Sequence, residues 1–286
     1  MEITMQYDLS IIIPFYNGNN ELSKLLSNLQ TAIKYASEIK VEIIIVNDSP
    51  DCKVNYHGFE SLKIKIITNH KNMGIHASRV NGILNSNGKY IFMIDQDDLI
   101  KENTLVSQFK KIEDNDIIIA NGFDENPLNY GVIYHSKKHQ EKSMNLNYYF
   151  KIGCMIVSPG QCIIKKDAIA KEWLEYRVKT NGADDLLLWI MMLKNNCKMT
   201  INDESLYVHT YSGKNVSSDF DKMVTSSKEV IDFLYDKNFI SENERKNYIR
   251  RLNMRRLYEN KSKTKKILAM IFYPDIAYYL LKMKLE

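Results

Sequence analysis

Asp95, Asp97 and Asp98 place three carboxylates within four residues, directly after the apolar run 90–94. Charges this close repel, and the repulsion raises their pKa values unless a cation neutralises them. A hard divalent ion, Mg2+ or Mn2+, is the natural occupant of such an oxygen-rich turn. Taken alone, the DQDD stretch fits equally well a polar turn in which Asp97 or Asp98 caps a helix by accepting backbone N–H bonds. A second acidic pair, Asp184 and Asp185, stands before the apolar residues Leu186–Trp189. In isolation that pair reads as the start of a helix, where the dipole favours negative charge.

Several elements must bring these groups together. The short apolar runs 9–13, 41–46, 64–68 and 90–94 suit strands buried on both faces of a sheet. Pro14 ends the first run, and 17–20 reads as a turn. From Glu21 onward Leu22, Leu25, Leu26, Leu29 and Ile33 recur at helical spacing, and 75–84 forms a second helical segment. Strand and helix therefore alternate, which predicts a doubly wound α/β sheet with its ligands beyond the carboxyl ends of the strands. The polar clusters 14–17, 47–51, 69–72 and 95–98 would then share one rim. Past residue 110 the pattern loosens. Strands are expected over 117–120, 153–157 and 161–165 and a helix over 185–193.

Composition narrows the class of protein. With 286 residues, 44% hydrophobic and 26% charged, the chain can bury a full core and reads as soluble, with one large α/β domain and an appendage. A net charge of +4 without a reading motif gives no case for nucleic-acid binding. Cys52, Cys154, Cys162 and Cys197 are scattered, with neither CxxC spacing nor a zinc pattern, so reduced thiols are expected. Residues 1–8 lack the basic and apolar regions of a secretory signal. PFYNGN after the first strand is no GxGxxG, which argues against a dinucleotide enzyme. Between 245 and 266 ten Lys or Arg residues face one acid, Glu259, and the apolar stretch 267–281 is broken by Pro274 and Asp275. That stretch is too short to span a bilayer; it either lies on an anionic surface or packs as a helix on the core.

Three motifs, LSIIIPFYN at 9–17, IIIVNDSPD at 43–51 and NMGIHASRVNGILNSNGKYIFMIDQDD at 72–98, resemble the family 2 glycosyltransferases in order and spacing. The resemblance covers roughly residues 8–215. It implies a GT-A fold, a Rossmann-like doubly wound mixed sheet with helices on both faces, here carrying a C-terminal helical extension. It also implies a nucleotide-sugar donor, usually a UDP-sugar, and a bound Mn2+ or Mg2+. By the resemblance Asp48 meets the uracil ring, Pro14 and Tyr16 line the nucleoside pocket, Asp95 serves the ribose and Asp97 the metal. Arg79 falls where the family places an arginine near the base or the diphosphate, and Asn17, Asn72, Gly74 and Gln96 complete the donor site. These roles agree with simple chemistry: a carboxylate accepts the uracil N–H, and a diphosphate needs cations to balance its charge. Two motifs depart from the family: VNDSP stands for the usual VDDGS, and SRV for ARN.

Farther along, GADDLLLW at 182–189 resembles the family's acidic pair followed by Leu-Trp, so Asp185 matches the catalytic base of inverting members and Asp184 its neighbour. His209 falls where relatives carry a histidine that closes over the diphosphate or binds the metal. No role is assigned to His70 or His76. The implied organisation is a glycosyltransferase domain over 1–215, divided at 110 into nucleotide-sugar and acceptor halves, and a basic, amphipathic extension over 216–286. The implied activity is transfer with inversion to a glycan or lipid-linked acceptor in surface polysaccharide biosynthesis. A cytoplasmic location follows, peripheral on the inner face of the plasma membrane if 245–281 binds anionic lipid. The altered VNDSP and SRV motifs are the one argument for the alternative, a degenerate scaffold of the same fold.

Overall fold

In the computed structural model, alternate residues of the central strands face two different cores. Ile12, Ile44, Val46, Ile91 and Met93 look to one side, where Trp173 and Trp189 pack. Ile11, Ile13, Ile43, Ile45 and Phe92 look to the other, against Leu22, Leu25 and Leu29. A strand covered on both faces needs apolar side chains at every position, which is why these segments read as unbroken runs. The structure describes residues 6–127, 130–211, 213, 219–258 and 262–285. The first five residues of the N-terminal segment, the 215/216 boundary, and Glu259 and Lys261 of the basic segment lie outside them.

In chain order the elements are β1 (Tyr7–Phe15), α1 (Asn19–Tyr35), β2 (Val41–Asn47), β3 (Ile64–Thr68), α2 (Ile75–Leu84), β4 (Gly88–Met93), β5 (Leu99–Ile100) and α3 (Thr104–Ile112). There follow β6 (Ile117–Asp124), β7 (Gly131–Val132), α4 (Lys137–Glu141), α5 (Leu146–Lys151), β8 (Cys162–Lys165), α6 (Lys171–Glu175), α7 (Asp184–Lys194) and β9 (Met199–His209). Four helices close the chain: α8 (Phe220–Asp236), α9 (Glu242–Tyr258), α10 (Lys263–Phe272) and α11 (Pro274–Leu285). The sheet runs β3-β2-β1-β4-β8-β6-β9-β5, with β7 added to β6. Its first four strands are parallel, β8 is antiparallel to both its neighbours, and β9 is parallel to β6. The sheet is therefore mixed, as expected.

Pro14 does not end β1, which continues to Phe15 in register with Asn47. Pairing with β4 stops at Ile12. The bonds Ile94 N to Ile12 O and Asp48 N to Phe15 O show which way the strand alternates. The missing N–H of Pro14 thus points to the side where no neighbour remains, and proline is tolerated there as on an edge. The expected strand over 153–157 is absent. Gly153 turns with φ +116, and the buried Met155 and Ile156 enter the core from irregular backbone. Their carbonyls bond to side chains instead, Met155 O accepting from Tyr134 Oη at 2.7 Å and Ile156 O from Cys154 Sγ at 3.0 Å.

The C-terminal helices divide into packed and exposed parts. Val224, Val230, Ile231 and Leu234 of α8 and Tyr248 and Leu252 of α9 join the core beneath β4. Basic residues of α9 are paired, Arg245 with Asp232 at 2.7 Å and Arg250 with Asp275 at 2.8 Å. On α10 and α11, by contrast, Ile267, Ile271, Phe272 and Tyr278 are all about 60% exposed. No described helix is long and apolar enough to cross a membrane.

Candidate active site

A cavity of about 560 Å³ opens at the carboxyl ends of β1, β2 and β4 and is closed from the far side by the start of α7 and by α8. Pro14, Tyr16, Asp48, Asn72, Arg79, Asp95, Gln96, Asp97, Asp184, Asp185 and His209 all line it. Of the residues expected at the site, Asn17 and Gly74 do not. Both shape backbone: Asn17 turns the chain with φ 50 after β1, and Gly74 (φ +88) starts α2.

Asp48 organises the loop that leads into α2. Its Oδ1 accepts from Asn69 Nδ2 at 2.8 Å and Met73 N at 2.7 Å, and its Oδ2 from Gly74 N at 2.8 Å. A carboxylate has about four acceptor positions, so one remains on Oδ2. The altered motifs have structural explanations. Asn47 Nδ2 donates to Cys52 O at 2.9 Å while its Oδ1 accepts from Ser49 N, a turn that the usual aspartate could not close. Val80 of SRV is fully buried in the core. Gln96 braces the mouth of the cavity, its amide bonding both Tyr16 N (2.8 Å) and Tyr16 O (3.2 Å), and leaves the Tyr16 ring about half exposed.

Arg79 joins the two acidic clusters. Its Nη2 reaches Asp95 Oδ1 at 2.6 Å and its Nη1 reaches Asp184 Oδ2 at 2.7 Å, with the guanidinium almost wholly buried. Both terminal nitrogens are thus engaged by carboxylates, and among the described residues Nε has no partner. Burial works against its charge, but Asp184 and Asp95 outweigh it and hold the arginine firmly protonated. Burial likewise opposes the charge of Asp184, whose carboxyl nevertheless stays below its ordinary range because of Arg79 and His76.

Asp185 is left with the opposite balance. Burial, then the neighbouring Asp184, push its carboxyl up to about 7. Its Oδ1 accepts from Leu186 N at 2.7 Å and its Oδ2 lies 3.8 Å from Cys154 Sγ. Neither acid makes a side-chain cap, although both sit in the first turn of α7. Two adjacent carboxyls pushed apart in this way can separate holding from proton transfer. His76, which had no role in sequence, is a buried support. Its Nδ1 accepts from Val178 N at 3.1 Å, its ring leans on Trp173, and burial drives its pKa down to about 4.

The three acids after β4 also diverge. Asp97 is half-buried, and its pKa is raised by burial and then by Asp95, while His209 favours its charged form. His209 Nδ1 is bound by Asp124 Oδ1 at 2.9 Å, which leaves Nε2. Asp98 is turned away into the core, bonded to Tyr207 Oη and accepting from Thr210 N at 3.1 Å. Burial and Asp95 raise its pKa well above the ordinary value. Neither Asp97 nor Asp98 caps a helix, because β5 follows them. Asn can replace a neutral Asp98 bond for bond, so Asp98→Asn is expected to keep transfer within about threefold, whereas Asp97→Asn loses most of it. A raised folded-state pKa favours folding only at low pH and is a growing cost as pH rises past the unfolded value. Asp98→Asn should therefore gain melting temperature relative to the native protein between pH 5 and pH 8. A fall in both transfer and melting temperature at pH 8 would mean that Asp98 works ionised.

Several lining residues were not anticipated, among them Ser78, Ser158, Asn181, Lys222 and Met223. Ser158 and Asn181 lie in irregular segments and Lys222 on α8, with no local pattern to mark them. The sequence pattern of the family described as Glycosyl transferase family 2 matches residues 10–173, more than half of the chain. The chain belongs to glycosyl transferase family 2. This glycosyltransferase is 28% identical over 208 residues to an uncharacterized glycosyltransferase of Methanocaldococcus jannaschii, covering 69% of each chain. It is 29% identical over 157 residues to the glycosyltransferase GlyA of Streptococcus pneumoniae, spanning 49% of this chain but only 21% of that protein. It is 24% identical over 203 residues to WfgD of Escherichia coli, named as a UDP-Glc:alpha-D-GlcNAc-diphosphoundecaprenol beta-1,3-glucosyltransferase, covering 68% of this chain and 74% of WfgD. Among solved structures, S. aureus TarS 1-349 in complex with UDP-GlcNAc superposes with a TM-score of 0.57 at 16% identity, covering 95% of this chain and 89% of that one. The fold is GT-A.

Proposed function

We propose that this family 2 glycosyltransferase works with inversion and a divalent metal, moving a sugar from a UDP-sugar to a glycan or lipid-linked acceptor in surface polysaccharide biosynthesis. The observation that carries the proposal is one cavity in which Asp185, with its pKa near 7, shares walls with Asp48 and the Asp95–Asp97 turn. The free acceptor position on Asp48 suits the uracil N–H, and Pro14 and the exposed Tyr16 ring suit the nucleoside. Asp95 keeps Oδ2 for the ribose while Arg79 occupies Oδ1. WfgD, by its name, uses UDP-Glc, and TarS has been solved with UDP-GlcNAc, which supports the same donor class here.

In the reaction Asp185 takes the proton of the acceptor hydroxyl as its oxygen attacks the anomeric carbon. The new C–O bond forms on the face opposite the breaking bond, and the diphosphate leaves with the electron pair. Among the described residues no three His, Cys, Asp or Glu side chains group as a metal site. Asp97 and His209 would nevertheless suit a Mg2+ or Mn2+ ion that takes its other ligands from water and phosphate oxygens, as these ions commonly do. His209, held at Nδ1 by Asp124, is oriented as metal-binding histidines are. Held there, such an ion would supply Lewis-acid stabilisation of the departing diphosphate. Calorimetry of UDP with and without Mn2+ tests the donor reading. Affinity is expected to fall at least about tenfold on chelation, and the Mn2+ dependence to vanish in Asp97→Asn; equal affinity in all three titrations would remove the metal.

The location we propose is the cytoplasm, at the inner face of the plasma membrane. The exposed Ile267, Ile271 and Phe272 lie on the same helix as the exposed Lys265, an arrangement suited to anionic lipid. Each such cation near the surface contributes about 1 kcal/mol.

A further inference from the structure

Residues 176–183 join α6 to α7 without regular structure, so their backbone N–H and C=O groups must find partners elsewhere. α8 supplies several of them. Glu229 Oε1 accepts from Lys179 N at 2.6 Å and from Tyr176 Oη at 3.0 Å, and its Oε2 accepts from Thr180 N at 3.1 Å. Ser226 is fully buried, and its Oγ donates to Thr180 O at 2.5 Å while accepting from Ala183 N at 3.0 Å. The i, i+3 spacing of the two residues puts them on one face of the helix. Between their contacts Gly182 turns with φ +142, and a Cβ there would stand 2.6 Å from Met223 Sδ. The loop therefore lies directly on α8.

The last of these contacts bears on Asp185. Ala183 is the N-cap of α7, and alanine has no side-chain oxygen with which to cap it. Ser226 instead satisfies the N-cap N–H from another helix. Arg79 and Trp173 fix Asp184, one through its carboxylate at 2.7 Å and the other through its carbonyl at 2.9 Å. Among the described residues the Asp185 carboxylate is held only by Leu186 N in its own turn and by the long 3.8 Å contact to Cys154 Sγ. Where Asp185 points thus follows from where the first turn of α7 is set.

We propose that Ser226 and Glu229 are positioning residues for Asp185: from α8 they set the loop 176–183, and through it the first turn of α7, so that the Asp185 carboxylate faces the cavity. Neither lines the cavity itself. α8 then belongs with the transferase unit rather than with the appendage expected from 216. The inference rests on the reading of Asp185 as the base. A displacement of about 1 Å at a reacting group can cost about 10²-fold in rate, so contacts behind the cavity wall are enough to matter.

The test is a carbon-13 NMR titration of the full chain with its aspartates labelled at Cγ, the Asp185 signal being the one lost in Asp185→Asn. The native carboxyl is expected to titrate near pH 7. Ser226→Ala leaves Ala183 N and Thr180 O without their partner, and Glu229→Gln keeps the size of the side chain but sets an NH2 group against a backbone N–H. Each should loosen the loop and admit water to Asp185. Burial is the largest influence raising that carboxyl, so its midpoint should fall by at least about half a pH unit. The charged and titratable groups facing Asp185 are Asp184, Arg79, Asp95, Cys154, Tyr149 and Tyr248, and neither variant alters any of them. Sugar transfer should drop about tenfold while UDP affinity by calorimetry stays within about twofold. Glu229→Gln keeps the test decisive if Ser226→Ala does not fold. An unmoved midpoint overturns the positioning role even where the melting temperature falls, because a merely structural contact would change stability without moving Asp185; the base reading is then judged by Asp185→Asn alone. Moved midpoints together with native transfer in Asp185→Asn uphold the positioning of this carboxyl and fault the base reading. Loss of UDP binding in both variants marks a collapse of the whole cavity and also overturns the proposal.

Discussion

Asp185→Asn is expected to lower sugar transfer by about 10² to 10⁴-fold, the usual contribution of a general base, or roughly 3 to 5 kcal/mol of barrier. Asn has the size of Asp but cannot take the acceptor's proton. UDP affinity should change by less than about twofold, since the nucleotide is assigned to Asp48, the Asp95–Asp97 turn and the metal. The pH profile is a second check. With its pKa near 7, Asp185 is progressively protonated below neutrality, so transfer should decline on the acid side from about pH 7. Asp184→Asn removes a negative neighbour that raises this value and leaves Arg79, which lowers it, less compensated. Both changes move the acid limb to lower pH. Native transfer rates in Asp185→Asn would end its role as base, and loss of UDP binding there would make it part of the donor site.

Arg79→Leu should cost about 3 to 5 kcal/mol of stability, the usual penalty for stranding the partner of a buried ion pair. Asp184 is only 4% exposed and would be left charged with no cation bonded to it. Arg79→Lys should recover little, because an ammonium cannot hold two carboxylates in the fixed fork of a guanidinium. The sign with pH is definite. The Asp184 carboxyl is held down in the folded state, so its contribution is present above the unfolded pKa and is lost as pH falls through the folded value. Urea unfolding should therefore show the largest gap between native protein and variant at pH 7 and a smaller gap on acidification. A gap below about 1 kcal/mol at pH 7 would mean that the clamp is not structural.

What could be read from the sequence follows from how local the cause is. β3 and α2 occupy the expected residues because apolar runs and 3.6-residue spacing are properties of neighbours along the chain. The rim of polar clusters was legible for the same reason, since parallel strands of one sheet bring their carboxyl ends to one side. β9 was not. Its MTINDESLYVH mixes polar and apolar residues, and it is held as a strand by distant partners, β6 through shifts around Asn121 and β5 at Leu99 and Ile100. The run 153–157 carried a strand's composition but lies where backbone bonds to side chains replaced a ladder partner.

By itself, then, the sequence determined a doubly wound α/β frame, the order of its motifs, and which acids stand at strand and helix ends, because these depend on patterns within a few residues. The family resemblance matched Asp97 to the metal and Asp185 to the base, but local pattern gave no physical reason to separate Asp97 from Asp98, or Asp184 from Asp185. Adjacent carboxyls in one chain have the same intrinsic chemistry, and their roles part only through what surrounds them. Tyr207 and Thr210 take Asp98 inward, while Arg79, 105 residues from Asp184, keeps that acid charged and leaves Asp185 to rise toward 7. Burial and charge at a point are set by groups from the whole chain, so only the tertiary structure supplies the reason why one carboxylate of the pair is held charged and the other can take up a proton near neutrality.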